Sequence, residues 1–273
     1  MKKVNTQEQL SGEYDNQINK FNKDGLTALH VAIKKSDITK IKELIEKGFD
    51  INIRAEYNYS PIEFACMNNK VAEAEILLEN GVNIENQDLL HIVCSLGNIE
   101  MVKLLIKYGC NVNEIDFDGR VPAHLAIKEN HLECLKILYS NNANFDIRSY
   151  KNSTILSYAV GEGKLEIVKY LLKIGMSKYI NDKVQPPLSL AVHWKYINII
   201  ELLIENNADI NLKDGLGNTP LIDTIINGNY QITKILLKHK ANPYIKSKNG
   251  QNSVTLLKRK HKQIQELLKI IEE

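Results

Sequence analysis

The stretch Thr27-Ala28-Leu29-His30-Val31-Ala32 returns along the chain in altered but alignable form. Equivalent positions begin at Ser60, Asp88, Val121, Thr154, Pro186, Thr219 and Asn252, at successive steps of 33, 28, 33, 33, 32, 33 and 33 residues. A second mark keeps the same register: Gly48, Gly81, Gly109, Asn142, Gly175, Asn207 and Lys240. Two markers locked to one period of this size define a repeat array, in which each unit is too small to bury its apolar face alone.

Each unit reads as a pair of helices. Thr27, Ser60, Asp88, Thr154 and Thr219 are favoured helix N-caps. Pro61, Pro122, Pro187 and Pro220 fall at the first helical position, where a missing N–H costs nothing. Gly97, Gly163 and Gly228, with Asn69 and Asn130, mark the turn inside a pair, because these residues accept the left-handed conformation that ends a helix. The second helix carries an apolar face at helical spacing, as in Ile38, Ile41, Leu44 and Ile45, or Ile99, Val102, Leu105 and Ile106.

The pattern resembles the ankyrin family, whose signature T-P-L-H-x-A is matched closely by Thr219-Pro220-Leu221 and by the stretch from Thr27 to Ala32. Asp24-Gly25 and Asp118-Gly119 resemble its hairpin turn. The resemblance implies an all-α solenoid, a stack of helix pairs with short β-hairpin fingers. It divides the chain into an N-terminal cap or partly disordered segment (1–21), seven repeats (22–246) and a C-terminal capping repeat (247–273). The third unit is five residues short between Ile84 and Asp88, which predicts a truncated finger and a notch. The last helix shifts its apolar residues Ile264, Leu267, Leu268 and Ile271 one place out of phase, as a terminal cap should.

A net charge of +2 does not call for nucleic acid or membrane. No run is long enough to span a bilayer, and Lys2-Lys3 precede no apolar stretch, so no secretory signal is read. Four scattered cysteines suit a reducing compartment, which predicts a cytoplasmic protein, in a host cytosol if it is a viral or secreted effector. The abundance of lysine, asparagine and isoleucine hints at an AT-rich source.

Constellations that could suggest chemistry dissolve into repeat positions. His30, His91 and His124 share one place in the unit, where the resemblance implies a bracing hydrogen bond. Cys66, Cys94, Cys110 and Cys134 show no C-x-x-C spacing and read as core. Gly161-Glu162-Gly163-Lys164 lacks the spacing and hydroxyl of a phosphate loop. No catalytic residue, metal site, cofactor or small-molecule substrate is therefore predicted. The run Lys258 to Lys262 reads as a solvated face, with nuclear import or an anionic contact as its alternative.

The resemblance further implies that finger tips and first-helix surfaces line one concave face. Tyr57, Tyr59, Met67, Leu96, Phe117, Arg120, Arg148, Tyr150, His193 and Trp194 occupy such positions. Aromatic residues and arginine are the usual anchors of protein interfaces. The expectation is a monomeric, non-enzymatic protein-binding module. Its alternatives are a targeting subunit of an enzyme complex, or a nucleic-acid scaffold working through the basic C-terminal cap.

Overall fold

The computed structural model describes residues 20–85, 88–149 and 152–259. The expectations for residues 1–19, for Tyr150 and for the helix beyond residue 259 lie outside that range.

Among the described residues, seven helix pairs and one further helix succeed one another. They are α1 (Ala28–Lys35) with α2 (Ile38–Glu46), α3 (Pro61–Met67) with α4 (Val71–Glu79), and α5 (Leu89–Leu96) with α6 (Ile99–Lys107). Next come α7 (Pro122–Lys128) with α8 (Leu132–Ser140), and α9 (Ile155–Gly161) with α10 (Leu165–Lys173). The last are α11 (Pro187–His193) with α12 (Ile197–Glu205), α13 (Pro220–Ile226) with α14 (Tyr230–Lys238), and α15 (Ser253–Arg259). Helices this short are marginal in water and depend on their neighbours.

The chain forms two compact units. One holds the described residues up to Asp116 together with Glu133–Ala143, the other Phe117–Leu132 together with the described residues from Asn144 onward. In the first, α1 packs on α3 and α3 on α5, while α2, α4 and α6 stack beside them. In the second, α7, α9, α11, α13 and α15 pack in succession, with α10 against α12.

Two details of the helices differ from the sequence reading. The buried face of the second helices is centred on their third, fourth and seventh residues, as in Met101, Val102 and Leu105, or Ile199, Ile200 and Leu203. The outer members of the expected face, such as Ile38, Ile45, Ile99 and Ile106, are only half-buried. Capping also divides. Ser60, Thr154 and Thr219 accept the amide three residues on. Thr27 makes no such bond, because its hydroxyl meets His30 Nδ1 at 2.7 Å. Asp88 sits at φ +49° and also makes none.

The second register mark has a simple cause. All seven of its residues, even Lys240 at φ +64°, occupy the left-handed conformation that ends the second helix.

No strand occurs among the described residues, so the fingers are hairpins only at their tips. Five close identically, through Asn22 N→Leu26 O, Ala55 N→Tyr59 O, Ser149 N→Ser153 O, Asp214 N→Asn218 O and Ser247 N→Gln251 O at 2.8–3.1 Å. The amides of Gly25, Asn58, Asn152, Gly217 and Gly250 bond back to Asn22, Ala55, Ser149, Asp214 and Ser247, and all five residues have positive φ. This is a three-residue loop, a turn followed by one left-handed residue. Successive fingers also touch. Glu56 N donates to Gly25 O at 2.9 Å, and a Cβ on Gly25 would collide with the Glu56 side chain.

Candidate protein-binding surface

The turn just described constrains only its left-handed residue. The residue before it points outward, and the backbone has no need of an apolar group there. Tyr57 nonetheless stands 70% exposed at that place, and Leu216 73% exposed. Phe117, one position earlier in its finger, is 91% exposed. Leu216 belongs to a full-length unit, so this exposure belongs to the tip position and not to the shortened third unit.

In the first unit, the ends of the first helices continue the apolar character. Met67 ends α3 and Leu96 ends α5, both exposed, on helices that pack side by side. Tyr59 is exposed to the same extent as Met67, and its backbone carbonyl accepts a bond from His30 Nε2 at 3.0 Å. In the second unit Trp194 caps α11, 54% exposed, with its ring edge-to-face on His193 at 5.0 Å. Beside it a groove of about 290 Å³ is lined by Val192, His193, Lys195, Thr224, Asn227 and Asn229.

The arginines serve the fingers themselves. Arg54 donates to Asn58 O and pairs with Glu63 at 2.9 Å. Arg148 repeats the move on Asn152 O at 2.8 Å and pairs with Asp182 in the next finger. Burial works to raise the Asp182 carboxyl, but Arg148 and the amides of Gln185 and Val184 hold it below the usual carboxylate range. Arg120 pairs with Asp118 at 2.8 Å. These guanidinium groups therefore brace the tips that present the apolar side chains.

The recurrent asparagines brace the loops in the same way. Asn52 Oδ1 accepts from Asn83 N at 2.7 Å, and Asn211 Oδ1 from Asn242 N at 2.8 Å. His30 bridges Thr27 and Tyr59, the bracing role that the resemblance implies. Cys66, Cys94 and Cys134 are buried and Cys110 is partly covered, all as free thiols. Burial pushes each thiol up, Cys110 to about 12, which is the reverse of what a nucleophile needs.

Leu216, Ile226, Val184 and Tyr244 are exposed and were not singled out from the sequence. Aromatic and arginine anchors in the second to sixth repeats dominate that reading, so Leu216, Ile226 and Tyr244 of the later repeats and the aliphatic Val184 lie outside it. The glycines flanking Leu216 were the available signal, since a leucine between them has nothing local to pack on.

The profile described as "Ankyrin repeats (3 copies)" matches residues 3–88, 83–149, 143–214 and 188–269. The chain belongs to the ankyrin-repeat family. Human transient receptor potential cation channel subfamily A member 1 is 27% identical over 286 residues, taking in 85% of this chain and 25% of the channel. The putative ankyrin repeat protein FPV115 of fowlpox virus is 31% identical over 241 residues, 76% of this chain and 44% of that one. The crystal structure of the human ASB11 ankyrin repeat domain superposes with a TM-score of 0.61 at 26% identity, covering 87% of this chain and 99% of that domain. The chain spans between a quarter and under half of the length of the two relatives, so their whole-protein activities do not transfer. Ankyrin repeats are generally protein–protein interaction modules and typically non-enzymatic scaffolds. No helix among the described residues is long and apolar enough to cross a membrane.

Proposed function

We propose that this ankyrin chain is a non-enzymatic adaptor that captures a partner protein on its finger tips and first-helix ends. One observation carries the reading: large apolar side chains, Phe117 above all, stand in solvent at positions where the fold asks for none. The leading contacts are Tyr57, Met67 and Leu96 in the first unit, and Phe117, Leu216 and Trp194 in the second. The braced loops beneath them favour binding, since little ordering cost remains to be met on association. Four free thiols support a reducing compartment as the working place. The AT-rich composition, with the likeness to a fowlpox virus chain, favours a host protein as the partner.

The test compares the intact chain with a variant carrying Tyr57→Ser, Phe117→Ser and Leu216→Ser in affinity capture from the source or host cell. Partners retained by the first and lost by the second support the reading, provided both melt alike. Equal capture by both would refute it.

A further inference from the structure

The third repeat departs from its neighbours at the foot of its first helix. In the first repeat a hydroxyl, Thr27 Oγ1, lies 2.7 Å from His30 Nδ1. In the fourth, the Val121 amide donates to His124 Nδ1 at 3.2 Å. In the third, Asp88 stands in the place of Thr27, and its Oδ1 is 3.5 Å from His91 Nδ1. The loop after α6 brings up a second carboxylate. One ligand atom each from Asp88, His91 and Glu114 then fall within 4.8 Å of one another.

We propose that Asp88, His91 and Glu114 bind a divalent transition-metal ion of the zinc class. The donor set is one imidazole nitrogen and two carboxylate oxygens, which suits zinc, cobalt or manganese better than the all-oxygen preference of calcium or the soft preference of copper(I). Three protein ligands leave a fourth, tetrahedral place to water. Metal–ligand bonds of about 2.0–2.2 Å put ligand atoms about 3.4 Å apart, so the widest pair must close by up to about 1.4 Å from 4.8 Å. Asp88 and His91, at 3.5 Å, already stand at about that spacing, so the closing falls to Glu114, a partly exposed side chain on the lining of an open groove.

Two further features fit. The chain is five residues short of the repeat length immediately before Asp88. An open groove of about 720 Å³, lined by Ile84, Glu85, Cys110, Asn113, Glu114 and Ile115 among others, gives an ion a path to Glu114. Glu85 adds a further negative charge on that path. All three ligands lie in the first compact unit.

The experiment titrates the metal-stripped full chain with zinc chloride by calorimetry and records the spectrum of its cobalt(II) form. Asp88→Thr removes one ligand but sets a β-branched residue at φ +49°, and Glu114→Gln removes another from a partly exposed position without touching the backbone. One ion per chain, at least about tenfold weaker in each variant and without a thiolate charge-transfer band, is the expected result. If Asp88→Thr loses its helical signal, Glu114→Gln alone decides. No binding, equal binding in the soluble variants, or a thiolate band showing that cysteine holds the ion would overturn the proposal.

Discussion

Replacing Asp223 with asparagine should stabilise the second unit above neutral pH and leave it unchanged in acid. Asp223 lies on α13, half-buried, and burial, aided by the charge of Asp214, raises its carboxyl from an ordinary 3.8 to about 6. A bond with Asn218 and the charge of His193 act in the opposite direction and are outweighed. A folded-state value above the unfolded one means that the folded chain holds this proton more tightly. The group's favourable contribution is therefore complete below about pH 4 and is lost as pH rises through about 6. A rise of that size corresponds to about 3 kcal/mol, at about 1.36 kcal/mol per tenfold change in proton affinity. Asp223 keeps contact with water, so solvent screening leaves about 1–2 kcal/mol of this. Asparagine matches aspartate in size and can still bond to Asn218, but it never ionises. Urea unfolding followed by helical signal at pH 4 and pH 8 measures the effect. At pH 8 the midpoint should rise by about 1 M or less with its slope unchanged, and at pH 4 it should stay put. An equal gain at both pH values, or none at pH 8, would refute the reasoning.

Trp194→Ala should weaken partner binding by about 2 kcal/mol or more while costing about 1 kcal/mol or less of stability, read by calorimetry and thermal melting. A variant that melts much lower yet binds normally would make Trp194 structural. Leu105→Ala, at a fully buried position in α6, should cost about 2–5 kcal/mol in chemical unfolding. Burial lowers the His30 imidazole below its ordinary 6.5, despite opposing bonds to Tyr59 and Ser60. Its stabilising contribution should thus be intact above that pH and be lost as pH falls below it, and His30→Gln should flatten this acid limb of the first unit's unfolding curve. At pH 8 a thiol reagent should modify the native chain slowly, with Cys110 first, and all four cysteines quickly once urea is added.

The repeat was legible because each period carries two backbone requirements that few residues satisfy. The glycines and asparagines of the second mark stand where φ is positive, and the prolines stand at first helical positions. Where a requirement can be met by several chemistries, the sequence misled. Thr27 reads as a cap yet serves His30, and Ile45 and Ile106 read as core yet lie at its edge. The arginines read as partner anchors, but Arg54 and Arg120 pair with Glu63 and Asp118 of their own units, and Arg148 finds its carboxylate at Asp182 in the next finger, about one period away. Spacing along one unit could not reveal that. The cluster at His91 escaped for the same reason, since Glu114 comes from the loop after the following helix. Leu216 was overlooked because aliphatic residues carry no interface signature until their exposure is known.

The backbone closure that these fingers share has an evolutionary consequence. Because its two backbone bonds and one left-handed residue complete the loop, the tip residue can be exchanged without disturbing the helices that carry it. Tyr57 and Leu216 are then like letters set into a frame that does not read them. Such a chain can drift from one ligand to another by substitution at a few tips, with its folding left untouched by selection for a new specificity. A library randomised at Tyr57, Phe117 and Leu216 would be mostly folded clones, a starting point from which binders to chosen proteins could be selected.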